Sequence, residues 1–165
     1  MPLNTEKGCV RMTRKILAVD DEPSIVKLVS AALTTRGYEV VTAYDGQDAL
    51  DKVALEKPDL IVLDIMMPKM DGREVARRLS KDPKTAKIPI VFLSAIGDLD
   101  SQLDTLEELK DVEYLTKPFD VKELGDYVEA MLDPAKRAEL ANHRNRQVGK
   151  LRTMVEIMNR KRETT

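Results

Sequence analysis

The chain has 165 residues, of which 42% are hydrophobic and 34% are charged, enough for one ordinary domain and an appendage. It contains no apolar run near the ~20 residues that cross a membrane, and the polar residues 1–14 lack the apolar core of a signal peptide. A single cysteine and a single histidine exclude an internal disulfide and a Cys/His zinc cluster, so we expect a cytoplasmic protein.

The net charge of −2 conceals two parts of opposite sign. Residues 1–132 carry 18 Lys and Arg against 25 Asp and Glu, whereas residues 133–165 carry 9 against 4. An acidic body followed by a basic segment calls for separate interpretations. We predict a flexible N-terminal arm at residues 1–14, a folded domain at 15–132 and a basic helical tail at 133–165.

Short apolar runs alternate with stretches of helical periodicity along the body. The predicted strands span residues 16–19, 38–43, 60–63, 88–93 and 114–116. The predicted helices span residues 24–36, 47–56, 72–81, 98–109 and 121–132. This (βα)5 order predicts an α/β fold in which a doubly wound parallel sheet has helices on both faces. After Asp133-Pro134, a stretch without proline predicts one further, C-terminal helix.

Polar side chains follow four of the predicted strands. Asp20 and Asp21 follow the first, Asp64 the third, Ser94 the fourth and Lys117 the fifth. The carboxyl ends of parallel strands meet at one edge of the sheet, where ligands of this fold class bind. Three carboxylates so close together favour a divalent cation. Taken singly, the aspartates are also compatible with helix capping or a loop start, and Lys117 with a simple turn.

These strand ends carry four motifs of one known family. The chain resembles, over residues 15–132, the CheY-like receiver domain of bacterial two-component response regulators. The resemblance implies a flavodoxin-like sheet with strand order 2-1-3-4-5. The motifs are Val19-Asp20-Asp21-Glu22-Pro23, Asp64-Ile65-Met66-Met67-Pro68-Lys69-Met70-Asp71-Gly72, Leu93-Ser94-Ala95 and Tyr114-Leu115-Thr116-Lys117-Pro118-Phe119.

The resemblance implies a role for each carboxylate. Asp64 would accept a phosphoryl group from a phosphohistidine on a sensor histidine kinase or a histidine phosphotransfer protein. Asp21, Asp64 and the backbone carbonyl of Met66 would bind Mg²⁺ or Mn²⁺, and Asp20 would act mainly through water. Such a protein is a phosphoacceptor that assists its own phosphorylation and dephosphorylation, not an enzyme in the ordinary sense.

The resemblance also implies how the signal is read. Lys117 would pair with one phosphoryl oxygen, and Ser94 would donate a hydrogen bond to another. The peptide bond between Lys117 and Pro118 would be cis, which would orient the lysine. Ser94 and Tyr114 would form the conformational switch. The chain departs from the family pattern just before Tyr114, at residues 109–113, so we expect an unusual loop into the fifth strand.

The basic tail has a short apolar seam. Val148, Leu151, Val155 and Met158 follow heptad spacing, but the pattern weakens backward at Arg144 and Ala141. The tail is compatible with a solvated extension, with a homodimer seam or with a surface that binds a partner protein. Its excess of positive charge also allows DNA binding, although no aromatic platform or nucleic-acid motif supports it.

Three functions therefore stay open for the chain. The first is a response regulator that signals to a downstream protein, and the second is a DNA-associated transcriptional regulator acting through the basic tail. The third is the N-terminal part of a longer regulator, because the 33 residues after position 132 are too few for the usual output domains. We expect no membrane partner in any of these cases.

Overall fold

The computed structural model describes residues 13–95 and 109–164. Its strands are β1 (Lys15–Val19), β2 (Glu39–Ala43), β3 (Leu60–Asp64), β4 (Ile90–Ser94) and β5 (Val112–Thr116). Its helices are α1 (Pro23–Thr35), α2 (Gly46–Glu56), α3 (Gly72–Ser80), α4 (Val121–Leu132) and α5 (Pro134–Glu163). Residues 98–108 of the helix predicted at 98–109 lie outside the described residues. Residues 1–12 of the predicted N-terminal arm also lie outside them.

The five strands form one parallel sheet in the order β2-β1-β3-β4-β5, which confirms the flavodoxin-like order. Strand β3 is central, and Leu63 pairs with Val19 of β1 on one side and with Phe92 of β4 on the other. All strands therefore end at the same edge of the sheet, and the residues that follow β1, β3, β4 and β5 converge there.

The sheet separates two apolar cores. Leu63 and Phe92 point to the side that α2 and α3 cover, whereas Val62 and Leu93 point to the side covered by α1 and α4. Because side chains alternate between the two faces of a strand, a strand that is covered on both faces is apolar throughout. This arrangement explains why the central strands read as continuous apolar runs and not as alternating patterns.

Aspartates set the starts of four helices. The side chain of Asp45 accepts a hydrogen bond from the backbone N–H of Asp48 at 2.7 Å, at the start of α2. Asp71 and Asp120 cap α3 and α4, and Asp133 caps α5, in the same manner. Each carboxylate satisfies an N–H that the helix leaves unpaired and is favoured by the positive end of the helix dipole.

Strand β5 begins earlier than the sequence predicts. Val112 and Glu113, which the sequence places in a loop, pair with Ile90 and Val91 of β4. Asp111 adopts a left-handed conformation with φ 54°, and its carbonyl accepts a hydrogen bond from the N–H of Ile90 at 3.0 Å. The unusual segment therefore turns sharply into the sheet and lengthens its last strand.

Helix α5 is continuous from Pro134 to Glu163, which corresponds to ~45 Å, and it runs through Gly149. Its start packs against α4, where Lys136 Nζ lies 3.7 Å from Glu129 Oε1 and Leu140 joins the apolar core. Among residues 13–95 and 109–164, no helix combines the length and the apolar character needed to cross a bilayer.

The packing of α4 onto the sheet can be tested with a pair of identical substitutions. Leu124 in α4 is 0% exposed, whereas Leu55 in α2 is 75% exposed. We expect Leu124→Ala to lower the free energy of unfolding by about 2–5 kcal/mol, because it leaves a cavity in the core. Leu55→Ala should change it by less than about 0.5 kcal/mol. Equal losses in urea-induced unfolding would contradict this packing.

Candidate functional site

The structure brings the predicted strand-end residues together at the carboxyl edge of the sheet. Asp20 directly follows β1, Asp64 is the last residue of β3 and Ser94 is the last residue of β4. Lys117 directly follows β5, and its backbone N–H donates a hydrogen bond to the carbonyl of Ser94 at 2.7 Å. The sheet order thus places an acidic group on each of two neighbouring strands and a cation beside them.

Three carboxylates form the acidic part of the site. Asp20, Asp21 and Asp64 each offer an oxygen, and these oxygens lie within 4.8 Å of one another. Asp20 is 1% exposed and Asp64 is 4% exposed, whereas Asp21 is open to solvent. Burial, and then the negative charge of Asp20, raise the pKa of the Asp64 carboxyl to about 6. The raised pKa of Asp64 therefore reflects first its burial and second its closeness to another carboxylate.

Lys117 supplies the opposing positive charge. Its Nζ lies 2.9 Å from Asp20 Oδ2 and 3.2 Å from Asp64 Oδ1. Burial alone would lower the pKa of the Lys117 ammonium, but the hydrogen bonds and charges of Asp20 and Asp64 outweigh burial and raise it. The peptide bond between Lys117 and Pro118 is cis. A single ammonium therefore bridges two buried carboxylates.

Asp20 also holds the loop that leads into α1. Its Oδ1 accepts a hydrogen bond from the backbone N–H of Glu22 at 2.9 Å, while its Oδ2 accepts from Lys117. Glu22 is the N-cap of α1, and its side chain makes no capping hydrogen bond. Asp20 thus steadies the loop before the helix, and its position is fixed from two directions.

The loop after Asp64 returns closely to the strand that it leaves. The backbone N–H of Gly72, at the start of α3, donates a hydrogen bond to the carbonyl of Ile65 at 2.9 Å. A Cβ atom at Gly72 would lie 2.2 Å from the carbonyl oxygen of Asp64, so only glycine permits this approach. Met66 lies in this loop, and its side chain is largely exposed.

The two predicted switch residues lie on neighbouring strands. Ser94 is buried at the end of β4, and Tyr114 is half-buried on β5. The ring of Tyr114 stacks on Phe92 of β4, with the ring centroids 5.1 Å apart and an interplanar angle of 26°. An aromatic side chain therefore lies against the strand that ends in the buried hydroxyl.

The predicted tail seam lies on α5, apart from the strand-end site. Val148, Leu151 and Val155 are half-buried, and Met158 is exposed.

Sequence reasoning missed two features of the described structure. Gly72 is the last residue of the motif that begins at Asp64, but no pattern in the sequence predicts its contact with the Asp64 backbone. Glu113 and Arg144 form an ion pair at 3.2 Å between β5 and α5. The only hint was that Arg144 interrupts the apolar seam of the tail.

Comparison with known sequences gives a consistent result. A family model described as the response regulator receiver domain matches residues 16–129. The chain is 46% identical over 130 residues to the alkaline phosphatase synthesis transcriptional regulatory protein PhoP of Bacillus subtilis, covering 79% of this chain and 52% of that protein. It is 41% identical over 135 residues to the DNA-binding dual master transcriptional regulator RpaA of Synechocystis, covering 78% of this chain and 56% of that protein. The chain thus spans about half the length of these curated relatives.

Solved structures agree with the sequence comparison. The chemotaxis protein CheY4 of Vibrio cholerae matches with a TM-score of 0.67 and 32% identity, covering 72% of this chain and 98% of that chain. The receiver domain of NtrX from Brucella abortus matches with a TM-score of 0.66 and 29% identity, covering 72% of this chain and 98% of that chain.

The close approach of Gly72 to Asp64 makes a testable prediction. We expect Gly72→Ala to lower the free energy of unfolding by about 1–3 kcal/mol, because its Cβ must displace backbone atoms. Gly149→Ala is the matched control, since a Cβ there meets nothing within 4 Å. It should raise the stability by about 0.5–1 kcal/mol, as expected for glycine inside a helix. If urea unfolding gave Gly72→Ala the stability of the unchanged chain, the described loop geometry would be wrong.

Proposed function

The chain belongs to the response regulator receiver domain family, and from this premise we propose that Asp64 is the phosphoacceptor of a two-component pathway. One observation carries the proposal. The Asp64 carboxylate ends the central strand, with oxygens of Asp20 and Asp21 within 4.8 Å and the Lys117 ammonium at 3.2 Å. The proposed donor is a phosphohistidine on a sensor histidine kinase or a histidine phosphotransfer protein.

The transfer forms one bond and breaks another. A carboxylate oxygen of Asp64 forms a bond to phosphorus while the bond between phosphorus and the donor imidazole nitrogen breaks. The product is an acyl phosphate on Asp64, and the electron pair of the broken bond stays on the imidazole. Because both reactants are anionic, the Lys117 ammonium assists by pairing with a phosphoryl oxygen, and the Ser94 hydroxyl donates to another. In this sense the protein assists its own modification.

We propose that the acidic cluster binds Mg²⁺ or Mn²⁺, as receiver domains do. Asp21, Asp64 and the Met66 carbonyl are the proposed direct ligands, with Asp20 acting through water. The donor set fits, because these are hard oxygen ligands, and the three carboxylates offer oxygens that all lie within 4.8 Å of one another. When bound, the ion neutralises charge on the acceptor and the phosphoryl group.

Ser94 and Tyr114 are the proposed switch. A phosphoryl group on Asp64 would attract the Ser94 hydroxyl at the end of β4. Tyr114 of β5 stacks on Phe92 of β4, and its ring is the side chain proposed to respond to that movement. Two arrangements of these residues, biased by one local charge, would suffice for a two-state signal.

The output of the whole protein is a further proposal, because the chain spans about half of its relatives. We favour phosphorylation-dependent binding of a downstream protein, in the cytoplasm, by a receiver at 15–132 with a helical tail at 133–165. The seam at Val148, Leu151, Val155 and Met158 would support a homodimer. DNA binding is the second candidate, since RpaA is described as DNA-binding and the end of α5 carries Arg160, Lys161 and Arg162. Salt-sensitive binding of duplex DNA by the full chain would favour it.

The acceptor assignment predicts the effect of removing one carboxylate. Asp64→Ala should abolish labelling of the full chain by acetyl phosphate with Mg²⁺, because it removes the carboxylate that would form the acyl phosphate. Asp51→Ala, which removes an exposed carboxylate of α2, should leave labelling unchanged. Intact-mass spectrometry, which detects one added phosphoryl group, measures both. Undiminished labelling of Asp64→Ala would refute the assignment.

The metal proposal predicts a stability change that needs no phosphodonor. Mg²⁺ at 100 times its dissociation constant should raise the free energy of unfolding by about 2.7 kcal/mol, because it binds only the folded chain. Asp21→Asn should lose most of this gain, whereas Asp51→Asn should keep it. Asp64→Asn should be more stable than the unchanged chain in EDTA, since it relieves repulsion from Asp20. Equal responses of Asp21→Asn and Asp51→Asn in thermal unfolding would count against the site.

A further inference from the structure

The first part of α5, residues 134–146, folds back onto the domain instead of leaving it. Asp133 ends α4 and caps α5, because its side chain accepts a hydrogen bond from the N–H of Ala135 at 3.0 Å. Lys136 then approaches Glu129 of α4, and Leu140 packs with Tyr127 against the core. We call residues 134–146 the docked segment.

Arg144 anchors the docked segment to the last strand of the sheet. Its Nη1 donates a hydrogen bond to the carbonyl of Val112 and lies 3.2 Å from Glu113 Oε1. The two side chains are only 13% and 10% exposed, so this ion pair is shielded from solvent and from salt. It joins β5 to α5 through two residues that are 31 positions apart in the chain.

Each member of this ion pair would be a buried, unpaired charge if the other were absent. Burial raises the pKa of the Glu113 carboxyl to about 7, and the charge of Arg144 opposes that rise. The cost of a buried charge is offset only while its partner stays close. Strand β5 also lies at one end of the sheet, where its outer edge has no neighbouring strand among the described residues. The docked segment contacts this edge through Arg144, which donates a hydrogen bond to the Val112 carbonyl.

Strand β5 connects this contact directly to the acceptor site. Glu113 and Lys117 are four residues apart on one extended segment, which corresponds to ~13 Å. At one end Lys117 binds Asp64 and Asp20, and at the other end Glu113 binds Arg144. Tyr114 lies between them. A shift of β5 that follows Lys117 would change the geometry of the Glu113–Arg144 pair.

We propose that β5 and α4 form a docking surface for a basic helix, that the chain's own docked segment occupies it, and that phosphorylation of Asp64 weakens this docking. The inference rests on the proposed function of Asp64. The docked segment is in place while Lys117 pairs with the unmodified carboxylates. A phosphoryl group that pairs with Lys117 breaks the ion pairs of Lys117 with Asp20 and Asp64. The resulting shift of Lys117 is transmitted along β5 to Glu113.

The coupling must be reciprocal, because both events share one equilibrium. If phosphorylation favours release of the docked segment, then release must favour binding of a phosphoryl mimic to the same extent. Typical couplings of this kind change affinities by about 5- to 150-fold. Release would also uncover Glu113, which could then receive a cationic side chain from a partner protein.

Hydrogen–deuterium exchange of the full chain tests the proposal. With acetyl phosphate and Mg²⁺, peptides from residues 134–146 should exchange at least about fivefold faster than in the unmodified chain. Arg144→Met should show the faster exchange without any phosphodonor, and it should bind beryllofluoride with Mg²⁺ more tightly by a similar factor. Arg146→Met is the matched control, because it removes the same charge from an exposed position two residues along α5. It should match the unchanged chain in both measurements.

Glu113→Gln provides a second variant that preserves the shape of the side chain. It should change the exchange in the same direction as Arg144→Met but by less, because Arg144 keeps its hydrogen bond to the Val112 carbonyl, and the double variant should be no more affected than Arg144→Met alone. Unchanged exchange in chains whose intact mass shows full phosphorylation would overturn the inference and leave the acceptor assignment standing. Equal effects of Arg144→Met and Arg146→Met would also overturn it. A chain that takes up no phosphoryl group would remove the proposed function, and this inference with it.

Discussion

The structure depends on the crowding of acidic groups at one end of a buried sheet. The carboxylates of Asp20 and Asp64 are almost completely removed from water, and one ammonium, that of Lys117, contacts both. Such a group of charges is stable only if each member is fixed by the backbone. The parallel strand order supplies that fixation, because β1, β3 and β5 all end at the same edge. The close return of Gly72 to the backbone of Asp64 adds to it.

Strand β5 connects the charged site at the sheet edge with the contact between the domain and α5. Its carboxyl end places Lys117 in the acidic site, and its beginning places Glu113 against Arg144 of α5. In the proposed switch, a phosphoryl group on Asp64 would change the partner of Lys117 and so act on β5. We infer that the same strand serves two ion pairs, one that responds to modification and one that holds the C-terminal helix in place.

Much of the fold and of the candidate site could be predicted from the sequence, for physical reasons. Strands that are buried on both faces are continuously apolar, so their polar ends at Asp64 and Ser94 stand out. The start of β5 is not predicted, because residues 109–113 depart from the family pattern and their pairing with β4 appears only in the structure. In the sequence alone, Arg144 only weakens the apolar seam of the tail. Glu113 and Arg144 are explained by a contact between distant parts of the chain, which no local pattern reveals.

The central claim is that Asp64 is the group that receives the phosphoryl group. The most direct measurement is to treat the full chain with a phosphodonor and Mg²⁺, to reduce the acyl phosphate with borohydride, and to map the altered residue by tandem mass spectrometry. The account predicts one altered residue, at position 64, and a weaker signal when Lys117 is replaced by alanine. An altered residue at any other position, with Asp64 intact, would contradict the account.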